Sequence, residues 1–558
     1  MQTKKPSEQG LTRGAQERSI VTRMSIIGRK IAFVLAILAG SCLTAGCGIA
    51  GADKSKGLAP AKDLGTTIGS LAEIVTPESI PVEGFGLVAG LSGTGSAECP
   101  PQIRAYLVRY IQTQLPKSGV NVEKLISSTD TAVVQIEAVM PAAAWKNQYF
   151  DVKITALPGT QTTSLEHGWL YTAELKPKGT FGITTRVPAN AEGPVFIDKI
   201  DSANTDKRVA YVLAGGKVLE DQKISLELRQ PDYRTASGIR NRLNERFGVG
   251  TAEAVSPARI ELTMPAKYRA QEQRFIPIVK ALPLDQTPET TKSRIMTFVK
   301  ELAVSQDKEA SEIALEAIGS ASMDKLGVLL SSSNEEVRLR AARCMLNLGG
   351  NQGIETLRQI AMDKNSAYRI EALRAIAARA GRDDAAAVLR RLLLDSDSNI
   401  KLAAYEQLRE LDDPALTREL IGRSFFLEQI AQSREKVIFV SRNGQPRIVL
   451  FGAPISCHDD IFVQSADGDI ILNAPAGQKY VSLIRKHPKR PGVIAQSKTS
   501  FELADIIRAL CEEPSSKAEK ASRGLGVSYA EVIALLKQMC EKGAVGAQFR
   551  PGPLPKVG

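Results

Sequence analysis

Histidine is scarce in this chain: His167, His458 and His487 are the three among 558 residues, and none stands in an activating motif. General acid–base work and zinc binding lean on that side chain, so the shortage argues against both. The best cluster of reactive types is Cys457-His458-Asp459-Asp460. Neighbouring side chains of an extended chain point to opposite faces, so Cys457 and His458 would not form a dyad there. No second ligand cluster closes a metal site. The sequence therefore reads as a non-enzyme without catalytic residues, cofactor or metal.

Paired cysteines and long apolar runs are wanting too. Downstream of Cys47 stand Cys99, Cys344, Cys457, Cys511 and Cys540, an odd number. Cys344 lies in a helical pattern and reads as buried core. Cys511 and Cys540 each end a C-terminal helix; in an antiparallel pair they would lie roughly 15–20 Å apart at 1.5 Å per residue, too far to bridge. No disulfide is predicted. The apolar stretch Ile31–Ala39 is too short to span a bilayer, but with Arg29 and Lys30 before it and small residues after it reads as a secretory signal, with Met24 as an alternative start. The following Leu43-Thr44-Ala45-Gly46-Cys47-Gly48 resembles a bacterial lipobox, in which the Cys47 sulfur takes a diacylglycerol, although Thr44 stands where Leu is commoner. Leu38-Ala39-Gly40-Ser41-Cys42 is a poorer second candidate, and ordinary cleavage is the alternative. Acyl chains would hold the protein on a membrane, and Gly48 in place of Asp favours the outer one.

Charge is also modest. The net +11 includes a leader before Cys47 with seven basic and two acidic residues, and without it the chain carries +6. That excess is too small to argue for nucleic acid, though it suits an anionic neighbour such as cell-wall polymer or lipid headgroups. The densest basic run, Arg485-Lys486-His487-Pro488-Lys489-Arg490, lacks interleaved aromatics. It reads as a solvated, Pro-containing loop, with contact to cell-wall polymer as the functional alternative.

What the chain does have is glycine in a telling place. Ile80–Gly95, IPVEGFGLVAGLSGTG, sets Gly84, Gly86, Gly90, Gly93 and Gly95 among aliphatics, which allows positive φ and close backbone packing. Gly84, Gly86 and Ala89 satisfy the spacing of a dinucleotide fingerprint, but that motif must close a buried strand and open a helix. Two more glycines within six residues of Ala89 make a helix costly, and no Lys-Ser/Thr pair supplies a P-loop. The segment reads as a shape and assembly element.

With that segment, later blocks resemble those of the flagellar P-ring protein family. Thr131–Ile154 is similar to that family's alternating stretch, and Leu226–Gly248, LELRQPDYRTASGIRNRLNERFG, to its strand ending in Pro-Asp-aromatic and the helix that follows. Pro231, Asp232, Tyr233, Thr235, Ala236, Ile239, Asn244, Phe247 and Gly248 fit that block. Lys436–Asn473 and Phe501–Val545 resemble the family's last hairpins and closing helix pair. The resemblance implies a structural, non-catalytic protein of the bacterial flagellum. Such a protein would form a homo-oligomeric P ring in the periplasmic basal body, with the flagellar rod, the outer ring proteins and peptidoglycan as its partners. The alternative is an outer-membrane lipoprotein adaptor that uses helical repeats to bind a non-flagellar partner.

Those repeats run from about Thr287 to Ser424, where helical periodicity replaces β-branched alternation. Val337-Arg338 with Ala341-Ala342 recurs about 31 residues later as Tyr368-Arg369 with Ala372-Leu373, and again as Ile400-Lys401 with Ala404-Tyr405; Ala310-Ser311 with Ala314-Leu315 is a degenerate first copy. Second helices at Lys325–Leu330, Glu355–Ala361 and Ala385–Leu394 complete HEAT-like pairs. An irregular helical bundle is the alternative. Arg338, Arg340, Arg343, Arg369, Arg374, Arg390 and Arg391 read as a solvated face. The solenoid reads as an insertion between a strand-like Phe275–Leu284 and a strand-like Val437–Val440, contacting mainly itself, its concave face open to a partner.

The expected fold class is α+β: mainly β ring-forming domains interrupted by an all-α HEAT-like solenoid. The expected divisions are a signal peptide with lipobox at 1–46, a linker at 47–66, ring-like N-terminal and middle domains at 67–284, the helical insertion at 285–425 and a ring-like C-terminal domain at 426–558.

Overall fold

A computed structural model describes residues 65–75, 79–114, 121–180, 186–200, 206–487, 490–512 and 524–556. The leader, the lipobox and Cys47 lie outside them. Among the described residues no helix is long and apolar enough to cross a membrane.

Small and β-branched residues alternate through the N-terminal part, and the structure turns that pattern into a barrel. Helix α1 (Ile68–Leu71) and strand β1 (Ala72–Val75) come first, then β2 (Ile80–Ala89), α2 (Pro101–Gln114) and α3 (Val122–Ile126). Strands β3 (Thr131–Met140), β4 (Tyr149–Ala156), β5 (Trp169–Pro177), β6 (Ala189–Pro194) and β7 (Val209–Val218) follow, and the sheet closes in the order β2-β3-β4-β7-β6-β5. Along β4 the inward residues are Phe150, Val152, Ile154 and Ala156, two apart, as a sheet with one buried face requires. Closure leaves this sheet no edge. Helices α2 and α3 cap its outside through Leu107, Val122 and Ile126 against Leu87 and Val133.

The chain then builds a second, smaller layer. Strand β8 (Ile224–Leu228), helix α4 (Tyr233–Phe247), β9 (Ala252–Ala254), β10 (Arg259–Leu262) and helix α5 (Glu272–Ala281) give a sheet ordered β1-β8-β10-β9, in which β1 returns antiparallel to β8 with Ala72 opposite Leu228. Helix α4 buries Ala236, Ile239, Leu243 and Phe247, one stripe of a 3.6-residue period. The stretch Phe275–Leu284, expected as a strand, is mostly helix α5. Its buried residues Phe275, Ile278, Val279 and Leu282 fall at i, i+3, i+4 and i+7, which is a helical face that the continuous apolar run disguised.

Eight helices carry the chain onward: α6 (Pro288–Val304), α7 (Lys308–Ile318), α8 (Met323–Leu329), α9 (Glu335–Asn347), α10 (Ile354–Met362), α11 (Arg369–Arg379), α12 (Arg382–Leu392) and α13 (Ser398–Glu410). Side chains of Asp307, Asn334 and Asp397 accept backbone N–H groups at the starts of α7, α9 and α13, which fixes where each repeat begins. Ala341, Ala342, Ala372 and Ala404 are wholly buried, small enough for neighbouring helices to approach.

The helical part ends earlier than 425. Residues 417–421 are strand β11 (Thr417–Ile421), hydrogen-bonded to β12 (Phe425–Ile430) in a sheet ordered β11-β12-β14-β13-β19, with β13 (Val437–Val440), β14 (Arg447–Phe451) and β19 (Gln548–Pro551). Between them lie β15 (Ile461–Gln464), β16 (Ile470–Ala474), β17 (Val481–His487) and β18 (Arg490–Thr499), a meander in that order, and helices α14 (Leu503–Cys511) and α15 (Tyr529–Glu541). Ile506, Ile507 and Leu510 on α14 and Val532, Ile533 and Leu536 on α15 pack with both sheets.

The helices pack mostly on one another, but at both ends they also share cores with the flanking layers. Ile313 and Ala317 of α7 share a core with Phe275 and Ile278 of α5, while Tyr405 and Leu408 of α13 share one with Ile430, Val437, Phe439 and Phe451. The fold class is α+β as expected, but the repeats are built in at both ends.

Candidate functional site

The glycine segment is a barrel strand and the loop that leaves it. Gly84 and Gly86 lie within β2, so the dinucleotide-like spacing sits in the middle of one strand with no helix after it. A Cβ on Gly84 would overlap the Glu174 carbonyl oxygen of β5, and one on Gly86 would come within 2.9 Å of Ile136 Cδ1 and Leu170 Cδ1. A Cβ on Gly95 would overlap the Thr131 carbonyl. These three glycines serve close approach, not positive φ. Gly90 (φ +85°) and Gly93 (φ +90°) are the left-handed positions, and they turn the chain so that Leu91 N and Gly95 N donate to the carbonyls of Asp130 and Thr129 at 3.0 and 2.8 Å.

Pro231, Asp232 and Tyr233 stand apart from that loop, in the β1-β8-β10-β9 layer. Asp232 caps α4: its carboxylate accepts from Thr235 N and Thr235 Oγ1, both at 2.7 Å, and those bonds hold it below the ordinary carboxylate range. At the other end, Asn244 Nδ2 donates to the Ala252 carbonyl and Asn244 Oδ1 accepts from Ala252 N, each at 2.9 Å, tying the helix to β9. Phe247 meets Tyr268 and Phe275 at 5.5 and 5.2 Å. The Pro-Asp-Tyr block thus opens a helix with both ends fastened. Tyr233, at 74% exposure, is the member left facing solvent.

Sequence reading missed three charge clusters that join the parts, because their members are far apart in the chain. Glu312 and Glu316 of α7 are fully buried; Arg274 of α5 reaches them at 3.0 and 2.5 Å, and Arg340 and Arg343 of α9 reach Glu312 at 3.1 and 2.6 Å. Burial opposes ionisation of Glu312, yet the guanidiniums of Arg274, Arg343 and Arg340 hold its carboxyl below the usual range. Glu428 of β12, also fully buried, accepts from Tyr405 Oη and from Arg409 Nε at 3.0 Å and pairs with Arg418 at 3.2 Å. Arg369, expected on a solvated face, is 7% exposed and donates to Asp395 at 2.5 Å and to the Ala361 carbonyl. Of the arginines assigned to that face, Arg374 and Arg391 are exposed; Arg340, Arg343 and Arg369 join successive helices instead.

The third cluster fastens the barrel to α15. His167, in the turn before β5, has Nε2 3.7 Å from Glu166 and 3.8 Å from Glu531. Lys199 and Lys207 pair with Glu166, and Lys199 lies 3.6 Å from Asp467. Burial works against the Glu166 charge, but the Lys199 ammonium outweighs it and holds the carboxyl low. Arg485, expected in a solvated loop, is buried in β17, donates to the Leu525 carbonyl at 2.6 Å and pairs with Glu531 at 3.4 Å. Glu166, His167 and Glu531 present ligand atoms within 4.8 Å of one another, but cations already neutralise both carboxylates, a setting that disfavours a metal ion. Cys457 is buried and His458 exposed, on opposite sides as expected, and burial pushes the Cys457 thiol up to about 12. Nearby, Asp151 of β4 accepts from Ala214 N at 2.7 Å and Gly444 N at 2.9 Å, a further link from barrel to C-terminal sheet.

Comparison with known families puts names to two of these parts. Residues 67–301 match the flagellar P-ring protein family, and residues 354–423 match HEAT repeats. The flagellar P-ring protein of Thermotoga maritima is 30% identical over 214 residues, covering 36% of this chain and 61% of that relative. That of Anaeromyxobacter dehalogenans is 27% identical over 230 residues, 38% of this chain and 59% of the relative. That of Albidiferax ferrireducens is 27% identical over 301 residues, 50% of this chain and 73% of the relative. The chain thus spans about three-fifths of the length of the first two. Residues 67–301, which hold the glycine strand and the Pro-Asp-Tyr block, are thus similar to the flagellar P-ring protein family, and residues similar to HEAT repeats follow at 354–423.

Proposed function

We propose that the protein is a non-catalytic structural component of the flagellar basal body, a homo-oligomeric ring subunit that surrounds the rod in the periplasm. The observation that carries this reading is where the family's most specific residues go: Asp232 and Asn244 fasten a helix, and Gly84 and Gly95 let strands touch. A site built from shape and caps suits a static bushing, whose work is to keep its form while the rod turns. The C-terminal sheets and helices belong, on this reading, to the same ring body, because Phe196 and Leu213 of the barrel region share their core. Cys47 acylation would hold the ring at the outer membrane, and the rod, the outer ring proteins and peptidoglycan are the partners. The repeats then act as a fixed extension of the subunit, since both of their ends are locked by buried ion pairs, which weighs against a tethered adaptor.

Isolation of basal bodies tests it. The protein should remain with the rod and rings through detergent and density-gradient steps, and its appearance only in bulk membrane fractions would refute the proposal. Cys47→Ser should abolish detergent-phase partitioning of the exported protein; unchanged partitioning would remove the anchor.

A further inference from the structure

The meander β15-β16-β17-β18 has two free edges among the described residues, and they differ in kind. At one end, β18 is a ten-residue strand whose residues 492–496 are all exposed, with Val493 at 47% and Ile494 at 56%. At the other, β15 carries Phe462 at 59% exposure, two residues after the exposed Asp460 and three after the exposed Asp459. Strand β18 is long and β15 has four residues, and an exposed apolar edge such as that of β18 templates pairing with another chain unless something blunts it.

The register shows that the two edges complement each other. Phe462 lies opposite Asn473, Asn473 opposite Ser482 and Ser482 opposite Lys498, so these residues share one face of the sheet. Ile494, four residues from Lys498 with no register shift between them, lies on that face too. Neighbouring strands of the meander are antiparallel and there are four of them, so β15 and β18 run in opposite directions. A second copy, translated head to tail without inversion, therefore brings its β15 antiparallel to β18 of the first. With Phe462 set opposite Ile494, an aromatic meets a β-branched residue, Asp460 falls diagonal to Lys498, and Val493 meets Val463, continuing the apolar inner layer.

We infer that β18 of one copy pairs with β15 of the next, making a continuous antiparallel sheet from subunit to subunit. The occupant of each edge is a second copy of this chain, because the acidic edge and the lysine-bearing edge are carried by the same sheet. Such a contact is heterologous, using a different patch on each partner, and sheet twist gives every step the same rotation, so it closes into a ring or extends as a helix. This inference rests on the ring-subunit reading and names the surfaces that reading needs.

The test is a cross-linking ladder in the full chain. Phe462→Cys and Ile494→Cys, made together, should give dimers, trimers and higher multimers with a short bis-maleimide. Each single variant alone should give no ladder beyond the wild-type background, and a mixture of the two singles should stop at dimers. Within one copy the two positions are three strand spacings apart across the sheet and four residues apart along it, roughly 20 Å, so internal linkage does not compete. In parallel, Ile494→Lys should lower the molar mass by light scattering while the circular dichroism stays unchanged. Oligomers that form normally without any ladder in the double variant would overturn the edge pairing and leave the ring reading standing. A chain that stays monomeric at every concentration would contradict both.

Discussion

Arg274 donates to Glu316 across 2.5 Å, a bond between the layer that precedes the repeats and the first helix pair within them. Arg274 also faces Glu312, 3.0 Å away, so one guanidinium serves two fully buried carboxylates. Arg274→Ala is expected to lower unfolding stability by about 3–5 kcal/mol, because it strands buried charge. Urea denaturation measures this, and a loss under ~1 kcal/mol, the range of an exposed pair, would show that the seam is not held there.

The same cluster sets a pH dependence. Glu312, Glu166 and Asp395 are all held below their ordinary values in the fold, by Arg274, Lys199 and Arg369 respectively, against the opposing effect of burial. A depressed folded value means that the stabilisation is complete above the ordinary carboxylate range and is lost as the pH falls through the folded values. Asp151 works the other way, since burial raises it, but it is one group against three. Denaturation midpoints should therefore be flat near neutrality and fall on acidification below the ordinary Glu value of 4.5. A midpoint that rises below that pH would contradict the ion-pair account.

Excision of the helices is expected to fail. Read from sequence, the repeats look removable, but deletion of about Thr287–Ser424 removes Ile313, Ala317, Tyr405 and Leu408 from cores they share with the flanking layers. It also takes away strand β11. The shortened chain should be insoluble or protease-sensitive; a folded product by circular dichroism and limited proteolysis would show that the flanking cores close alone.

The glycines should rank by what surrounds them. Gly93→Ala meets no atom within 4 Å and carries only the left-handed backbone penalty, about 1–2 kcal/mol. Gly84→Val and Gly95→Val drive side-chain atoms into the carbonyls of Glu174 and Thr131, which adds an overpacking cost of roughly 1–3 kcal/mol each and can prevent barrel closure. Thermal melts of the three variants check the order, and equal losses would mean that the glycines act through flexibility alone.

Local patterns made much of this fold legible. The alternation of β3 and β4, the Pro-Asp-Tyr helix start, Val437–Val440 as a strand and the alanine-bearing repeat helices all follow from spacing within a few residues. What escaped were relations between distant segments. Arg343 looks like a member of a solvated helix face, and Arg485 like part of a basic loop, until folding brings Glu312 and Glu531 to them. Helix α5 was hidden by a run apolar enough to suit either period. The boundary at Glu410 was hidden because the residues after it, Leu411 to Leu416, keep packing on the last repeat while the backbone leaves the helix.

The most direct measurement is electron microscopy of basal bodies purified from a strain lacking this gene, compared with the complemented strain. The ring-subunit account predicts that the periplasmic ring around the rod is absent without the gene and returns on complementation. A complete ring in the deletion strain would contradict it.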